Sequence, residues 1–323
     1  MKLRTRYQWV RLAQISMTFG LIAVLLRQIS LSDILSVMSG MHWGFYLLSL
    51  SLLLICHLLN VARWQCVLQI PAISYGKLLT IYGASLFGNN FLPSGIGGDG
   101  IRAILVSRDV SLKRAIFSVG LDRAVGTLDL SVILAIGLWL GPPAELNVGK
   151  FYTVLPYALW ILGGILVTLA IVGLPLLIFW RATPHLRQRL EKFRVALTFH
   201  KLKSFDLGYW TRLFSTSFAL AACSQLSLVA AYWMALQALS IQSPVGASFW
   251  LVLIGSASLL LPISINGLGL QEGIYVVLLA SYAVPTTVAL AFGILIRLQM
   301  VFFALIGGLL SLKSNGLHIT NRI

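Results

Sequence analysis

Seven ionisable side chains stand in or beside apolar stretches of the sequence, where a charged group is least expected: Asp99, Arg102, Asp122, Arg123, Asp129, Glu272 and Arg297. A charge at the centre of a bilayer costs on the order of 3 kcal/mol on insertion scales, so such residues must face the protein interior and pair. Acids and arginines retained at that cost predict a pathway for a polar or charged substrate.

Spacing along the chain separates these groups. Asp122 and Asp129 are seven residues apart and lie on one helical face, whereas Arg123 points about 100° away from Asp122. Our hypothesis is that Arg123 and Arg297 hold an anionic headgroup, because a guanidinium binds phosphate bidentately. The predicted substrate-binding set is completed by Asp99, Glu272, Arg102 and Asp122.

An alternative role for both arginines is structural. Arg123 would then pair with Asp99, and Arg297 would pair with Glu272 in the same way. Each pair would tie an interrupted apolar stretch to the span that follows it. The two roles are compatible if a substrate competes for the pair.

Several near-motifs fail to predict an enzyme. A G-x-G-x-x-G pattern at 95–100 follows no strand, so a dinucleotide site is not expected. "PSG" at 93–95 lacks the following His of membrane phosphatases, and "DGIRA" at 99–103 lacks the later paired aspartates of membrane alcohol phosphotransferases. His57 has no second ligand at i+4. We expect no catalytic residues, metal or cofactor.

Composition places these residues in a membrane protein. Of 323 residues, 58% are apolar and 10% are charged, with a mean hydropathy of +0.90. Soluble domains carry about 25% charged residues, so soluble, disulfide-stapled and disordered classes are excluded. We predict one all-α polytopic membrane domain, 1–323, with no separate water-soluble catalytic part.

Six apolar runs are long enough to cross a hydrocarbon core of roughly 30 Å, near 10–28, 43–62, 115–141, 151–180, 213–240 and 286–312. Two further stretches, 78–107 and 248–283, have arms of only about 22 Å as helices, too short to cross. We predict that both are re-entrant helical hairpins, which gives about eight membrane helical elements. Their breaks are formed by Pro93, Gly97, Gly98, Pro262, Gly267 and Gly269. The first break is preceded by Asn89 and Asn90, which could donate to a headgroup, although capping the broken helix is the role that we favour.

Cation placement supports the hairpins and orients the chain. With both hairpins, nineteen of the 24 Lys and Arg residues fall on one side: the N-terminus, 63–77, 108–114, 181–212 and the tail. The positive-inside rule puts this side, with both termini and the basic loop 181–212, in the cytoplasm. The net charge of +15 therefore reports topology and predicts no nucleic-acid partner.

The two halves of the chain, 1–141 and 151–312, repeat one pattern of span, span, hairpin and span. In each half an acid precedes an Arg by a similar number of residues, 24 from Asp99 to Arg123 and 25 from Glu272 to Arg297. Three spans separate the corresponding elements, so the second half enters from the opposite side, which is typical of inverted-topology transporters. The alternative is that Pro, Gly and the two spacings coincide by chance.

The chain resembles a known family over two segments, "FLPSGIGGDGIRAILVSRDVSLKRAIFSVGLDRAVG" at 91–126 and "LPISINGLGLQEGIYVVLLASYAV" at 261–284. The family is the flippase-like membrane domain of lysylphosphatidylglycerol synthases and of stand-alone bacterial and archaeal proteins. The likeness covers roughly 10–312. Asn266 and Gln271 depart from it, since we expect Gly and often a basic residue at these positions.

The resemblance implies movement of a polar or charged lipid between leaflets of a bacterial or archaeal cytoplasmic membrane. Only eleven residues follow Leu312, so we expect no aminoacyl-transferring domain. Transport would be driven by a gradient, by substrate consumption or by a partner enzyme of lipid or glycolipid synthesis, and protonation of Asp99 or Glu272 is a possible coupling. The alternatives are an intramembrane enzyme or accessory subunit acting on a lipid-linked sugar or phosphate, and a structural scaffold.

Overall fold

The computed structural model describes residues 16–18, 20, 31–70, 72–91, 97–140, 207–260 and 264–320. Apart from 207–211, these residues belong to one compact unit. Several predictions lie outside the described residues: nearly all of the span near 10–28, the span near 151–180, nearly all of the 181–212 loop, Pro93 and Pro262.

The described part of the chain is helical and contains no strand. Its helices are α1 (Leu31–Ser39), α2 (Trp43–Leu68), α3 (Tyr75–Phe91), α4 (Gly97–Val106), α5 (Leu112–Trp139), α6 (Leu207–Ala238), α7 (Val245–Leu260), α8 (Leu270–Ala280) and α9 (Thr286–Thr320). A single 3-10 turn, Ile265–Gly267, precedes α8. The prediction of an all-α membrane protein is confirmed.

Three of these helices are long and apolar enough to cross a membrane: Trp43–Leu68, Thr211–Ala238 and Thr286–Lys313. They coincide with three of the predicted spans. A fourth prediction, 115–141, falls on α5, which has 28 residues but also carries acids and arginines. Large apolar side chains stay exposed on the outside of several helices, including Trp139 at 84% and Val277 at 74%, as a lipid-facing surface requires.

The two interrupted stretches form pairs of short helices. α3 and α4 have 17 and 10 residues, and α7 and α8 have 16 and 11. At 1.5 Å per residue these helices are roughly 15–26 Å long, less than a hydrocarbon core of about 30 Å. α3 also packs closely on α9, where a Cβ added to Gly83 would lie 2.6 Å from the Cα of Gly307.

A buried apolar cluster joins α2, α3, α4 and α5. Its centre contains Trp64, Leu78 and Val106, each 0% exposed. The Trp64 indole donates a hydrogen bond to the Ser118 hydroxyl at 3.3 Å, which satisfies its polar edge inside the core. Packing in this core holds α4 and α5 in the orientation that determines where their charged side chains lie.

Candidate functional site

Asp122 on α5 binds two arginines at once. Its Oδ1 accepts a hydrogen bond from Arg63 Nε at 2.7 Å, and its Oδ2 accepts one from Arg102 Nη2 at 2.8 Å. All three residues are buried, with Asp122 2% exposed. One carboxylate therefore joins α2, α4 and α5, and its single negative charge balances only one of the two guanidinium charges.

Aromatic rings stabilise Arg102 within this group. Its guanidinium carbon lies 4.2 Å from the centre of the Trp64 ring and 5.5 Å from the centre of the Tyr82 ring. A cation over an aromatic face is attracted by the ring quadrupole, and the attraction increases when water is excluded. The rings offset part of the cost of keeping Arg102 charged and buried.

Arg123 forms an ion pair with Asp99 at the edge of the same group. The Arg123 side chain is 43% exposed and that of Asp99 is 18% exposed. Asp99 Oδ1 also lies 3.8 Å from Arg102 Nη1. We call these five residues the first cluster: Arg63, Asp99, Arg102, Asp122 and Arg123. These five of the described residues comprise three cations and two acids, so together they carry one excess positive charge.

The break between α3 and α4 is held by an asparagine cap. Asn89 Oδ1 accepts a hydrogen bond from the backbone N–H of Gly98 at 2.9 Å, which satisfies a free donor at the start of α4. A Cβ at Gly98 would lie 2.5 Å from the Asn89 side chain and would clash with the Ser85 carbonyl. Of the two roles considered for Asn89, the structure shows the cap. Gly97 is the first residue of α4.

Arg297 on α9 is surrounded by acceptors. Its Nε donates to Glu272 Oε1 at 2.7 Å, its Nη1 to the backbone carbonyl of Asn266 at 2.9 Å and its Nη2 to Gln271 Oε1 at 3.1 Å. The side chains of Arg297 and Glu272 are 13% and 9% exposed. We call Glu272, Arg297, Asn266 and Gln271 the second cluster.

Hydrogen bonds extend from the second cluster into an aromatic core. Gln271 Nε2 donates to the Tyr275 hydroxyl at 2.7 Å, and that hydroxyl lies 2.9 Å from the hydroxyl of Tyr232. Glu272 also accepts the backbone N–H of Gly269 at 2.8 Å through Oε2, so it caps α8 while it pairs with Arg297. The second cluster is therefore a largely buried structural group in which one acid balances one arginine.

The turn before α8 requires left-handed backbone. Asn266 has φ 48° and ψ 38°, and Gly267 and Gly269 have φ of 70° and 80°. Gly adopts this region without cost and Asn is among the side chains that tolerate it. Asn266 therefore occupies the position where the resemblance leads us to expect Gly, and it keeps the same backbone shape.

A hydrogen bond between described residues links the two interrupted stretches. Asn266 Nδ2 donates to Asn90 Oδ1 at 3.1 Å, while Asn90 Nδ2 donates to the Leu86 carbonyl at 3.0 Å. Asn90 thus lies at the end of α3, in contact with the turn whose Asn266 carbonyl accepts a hydrogen bond from Arg297. Its role as a headgroup donor stays a prediction.

Our placement of Arg63 was wrong. We counted it among the cytoplasmic cations of 63–77, but α2 continues to Leu68 and Arg63 is 7% exposed within it. A signal for this was present in the sequence, because Cys56, Arg63 and Val67 recur at spacings of seven and four, and all three are buried on one helical face.

The structure brings the predicted acids and arginines together in two places. Both pairs of the structural alternative form, Arg123 with Asp99 and Arg297 with Glu272. Within the described ranges, no three His, Cys, Asp or Glu side chains are grouped as metal ligands would be. Asp129 belongs to neither cluster.

Comparison with known proteins agrees with the resemblance seen in the sequence. The chain is 23% identical to a UPF0104 membrane protein of Methanothermobacter thermautotrophicus, over 90% of this chain and 88% of that protein. Residues 9–308 match the family described as the lysylphosphatidylglycerol synthase TM region. The chain therefore belongs to the lysylphosphatidylglycerol synthase TM region family.

Proposed function

We propose that the chain is a transporter that moves an anionic phospholipid or glycolipid between membrane leaflets, with the headgroup bound at Arg123. The observation that carries the proposal is the Arg123–Asp99 pair, in which the Arg123 side chain is 43% exposed, within a cluster whose five described residues carry one excess positive charge. The family supports a lipid-related role in a membrane.

Exchange of partners costs less at Arg123 than it would at Arg297. The Arg123 side chain is 43% exposed against 13% for Arg297, and Asp99 keeps Arg102 Nη1 at 3.8 Å when a phosphate displaces it from Arg123. The phosphate gains bidentate hydrogen bonds from the guanidinium and is attracted by the buried cations behind it. This is the competition between substrate and carboxylate that makes the binding and structural roles of Arg123 compatible.

Arg297 is assigned the structural role. Removing one partner of a buried ion pair costs about 3–5 kcal/mol, and Arg297 also donates to Asn266 and Gln271. A headgroup that displaced these acceptors would have to replace three hydrogen bonds at once. The proposal therefore places the headgroup contact on Arg123 alone and makes Arg297 the tie between α8 and α9.

The membrane arrangement is part of the same proposal. Two re-entrant hairpins, α3–α4 and α7–α8, belong to inverted repeats, with both termini in the cytoplasm of a bacterial or archaeal cell. In both halves the acid lies at the start of the short helix after the break, and the Arg lies on the next long helix. This shared connectivity supports a repeat, and broken helices near the midplane are where transporters of that class bind substrate.

Transport is proposed in preference to catalysis. In both clusters each acid is engaged by an arginine, so within the described residues these acids are not paired as a general acid and base would be. A partner enzyme that makes or consumes the lipid is a compatible part of the proposal. Conversion of a lipid by the purified protein would favour the intramembrane enzyme instead.

The test is lipid flipping in phosphatidylcholine vesicles that contain a trace of fluorescent phosphatidylglycerol. We expect Arg123→Gln to lower the flipping rate by about tenfold or more, because a charge-assisted hydrogen bond is worth roughly 1.5–3 kcal/mol. Arg123→Lys keeps the charge but loses the bidentate geometry, so we expect an intermediate rate.

The matched control is Arg108→Gln, which removes an exposed guanidinium from the turn between α4 and α5. It should flip lipid at the wild-type rate. A wild-type rate in Arg123→Gln would overturn the assignment of the headgroup site.

A further inference from the structure

Asp129 differs from the other acids of the buried helices. It is 0% exposed, and within the part of the chain that the structure describes neither of its carboxylate oxygens has a hydrogen-bond partner. Asp99, Asp122 and Glu272 are each bonded to an arginine. A buried carboxylate without a partner is very costly when ionised, and the neutral acid avoids most of that cost.

The position of Asp129 connects it to the first cluster. It lies seven residues after Asp122 on the same face of α5, about 10 Å further along the axis. Gly126 lies between them, and a Cβ added there would be 3.3 Å from Arg63 Nη1. Arg63 therefore rests on the bare backbone between the two acids. It also interacts electrostatically with Asp129.

Among the residues that the structure describes, few other ionisable groups face Asp129. α5 packs against α2, α4 and α7. α2 presents Arg63 and, two turns earlier on the same side, the Cys56 thiol; α4 contributes Asp99 and Arg102; α7 has no ionisable side chain. The protonation of Asp129 is thus felt chiefly by the arginines of the first cluster.

We propose that Asp129 is a proton-binding site that is coupled to the anion site at Arg123. This inference rests on the proposed function. With Asp129 neutral, the first cluster has one excess positive charge, which matches one phosphate diester. When Asp129 ionises, its O–H bond breaks, the proton passes to water, and the carboxylate supplies the balancing charge in place of the lipid.

Coupling of this kind binds one proton with one headgroup and leaves the local charge unchanged. It also assigns the proton to Asp129 and not to Asp99 or Glu272, the two acids for which the sequence suggested protonation. Asp99 and Glu272 hold arginines, whereas Asp129 changes charge without breaking a hydrogen bond seen in the described residues.

The test measures retention of phosphatidylglycerol by the full chain in phosphatidylcholine nanodiscs, by native mass spectrometry at mildly acidic and mildly alkaline pH. We expect wild type to lose the lipid at alkaline pH by about tenfold in affinity, the effect of one charge about 10 Å away at an effective dielectric of about 20. Asp129→Asn mimics the neutral acid and should bind equally at both pH values.

Two controls separate the possible failures. Asp109→Asn removes an exposed carboxylate that pairs with Lys77, so it should keep the wild-type pH dependence. A pH-independent wild type, or an Asp129→Asn variant that keeps the wild-type dependence, overturns the proton site. Full retention of lipid by Arg123→Gln at both pH values instead overturns the proposed headgroup site.

Folding gives a second, lipid-free readout. A proton held by folded Asp129 and released on unfolding makes the free energy of unfolding fall as pH rises. Asp129→Asn should remove that slope and should be the more stable protein at alkaline pH. An identical slope in wild type and variant would count against the proposal.

Discussion

The first and second clusters place an acid and an arginine in the same positions relative to a helix break, but they complete the pair differently. Around Arg297 the remaining acceptors are neutral: a backbone carbonyl and the Gln271 amide. At Arg123 the paired acid, Asp99, also lies 3.8 Å from Arg102, and the Arg123 side chain stays 43% exposed. An ion pair whose arginine is otherwise bonded to neutral acceptors is a structural contact. An ion pair with an exposed arginine and an excess of positive charge nearby can bind an anion.

The largest expected effect follows from the shared acid of the first cluster. Asp122→Asn leaves Arg63 buried without the carboxylate that it bonds and leaves Arg102 with only Asp99, at 3.8 Å, so we expect the free energy of unfolding to fall by about 3–5 kcal/mol. Denaturant unfolding in detergent measures it. The control Asp109→Asn breaks an exposed pair and should cost only about 0–1 kcal/mol. Equal losses in the two variants would contradict the burial of charge at Asp122.

The pair in the second cluster should couple in a double-mutant cycle. Glu272→Gln and Arg297→Gln each leave a charged partner without its counter-charge, so we expect each to lower the free energy of unfolding by about 3 kcal/mol, the lower end of the range for a buried pair. Because each single variant leaves the other partner buried, the double variant should lose clearly less than the sum. Strict additivity would show that the 2.7 Å contact contributes nothing to stability.

Parts of these two clusters could be predicted from the sequence. Both acid–arginine pairs could be proposed from the sequence as a structural alternative to headgroup binding, but the spacings alone did not decide between the two roles. An asparagine before a Gly-rich break predicted the Asn89 cap. The burial of Arg63 was missed because the predicted span, 43–62, was ended just before this first charge. A cation in a loop and a cation in a buried helix cannot be told apart on that assumption. The Asn90–Asn266 contact joins residues 176 positions apart, which no local pattern encodes.

A smaller effect is expected at the start of α4, which positions Asp99. Gly98→Ala places a methyl group against Asn89 and the Ser85 carbonyl, so we expect a loss of about 1–3 kcal/mol and slower lipid flipping. Gly100→Ala is the matched control in the same helix, since its Cβ would meet nothing within 4 Å. It should be neutral or stabilise by up to about 1 kcal/mol. The reverse order of the two variants would contradict the close packing of α3 on α4.

The smallest effect is expected at the link between the clusters. Asn266→Gly keeps the left-handed backbone but removes the donor to Asn90, so we expect a loss of about 1 kcal/mol in thermal unfolding. Asn266→Ala adds backbone strain at the same φ and should lose more. If the Ala variant were the more stable of the two, the left-handed turn before α8 would be wrong.

The proposed function requires the headgroup to bind at Arg123 and not at Arg297. The most direct measurement is an electron cryo-microscopy structure of the chain in nanodiscs that contain phosphatidylglycerol. We predict lipid phosphate density about 2.7–2.9 Å from the Arg123 guanidinium nitrogens, with the Asp99 pair opened and the Glu272–Arg297 pair intact. Phosphate density on Arg297, with Arg123 still paired to Asp99, would contradict the account.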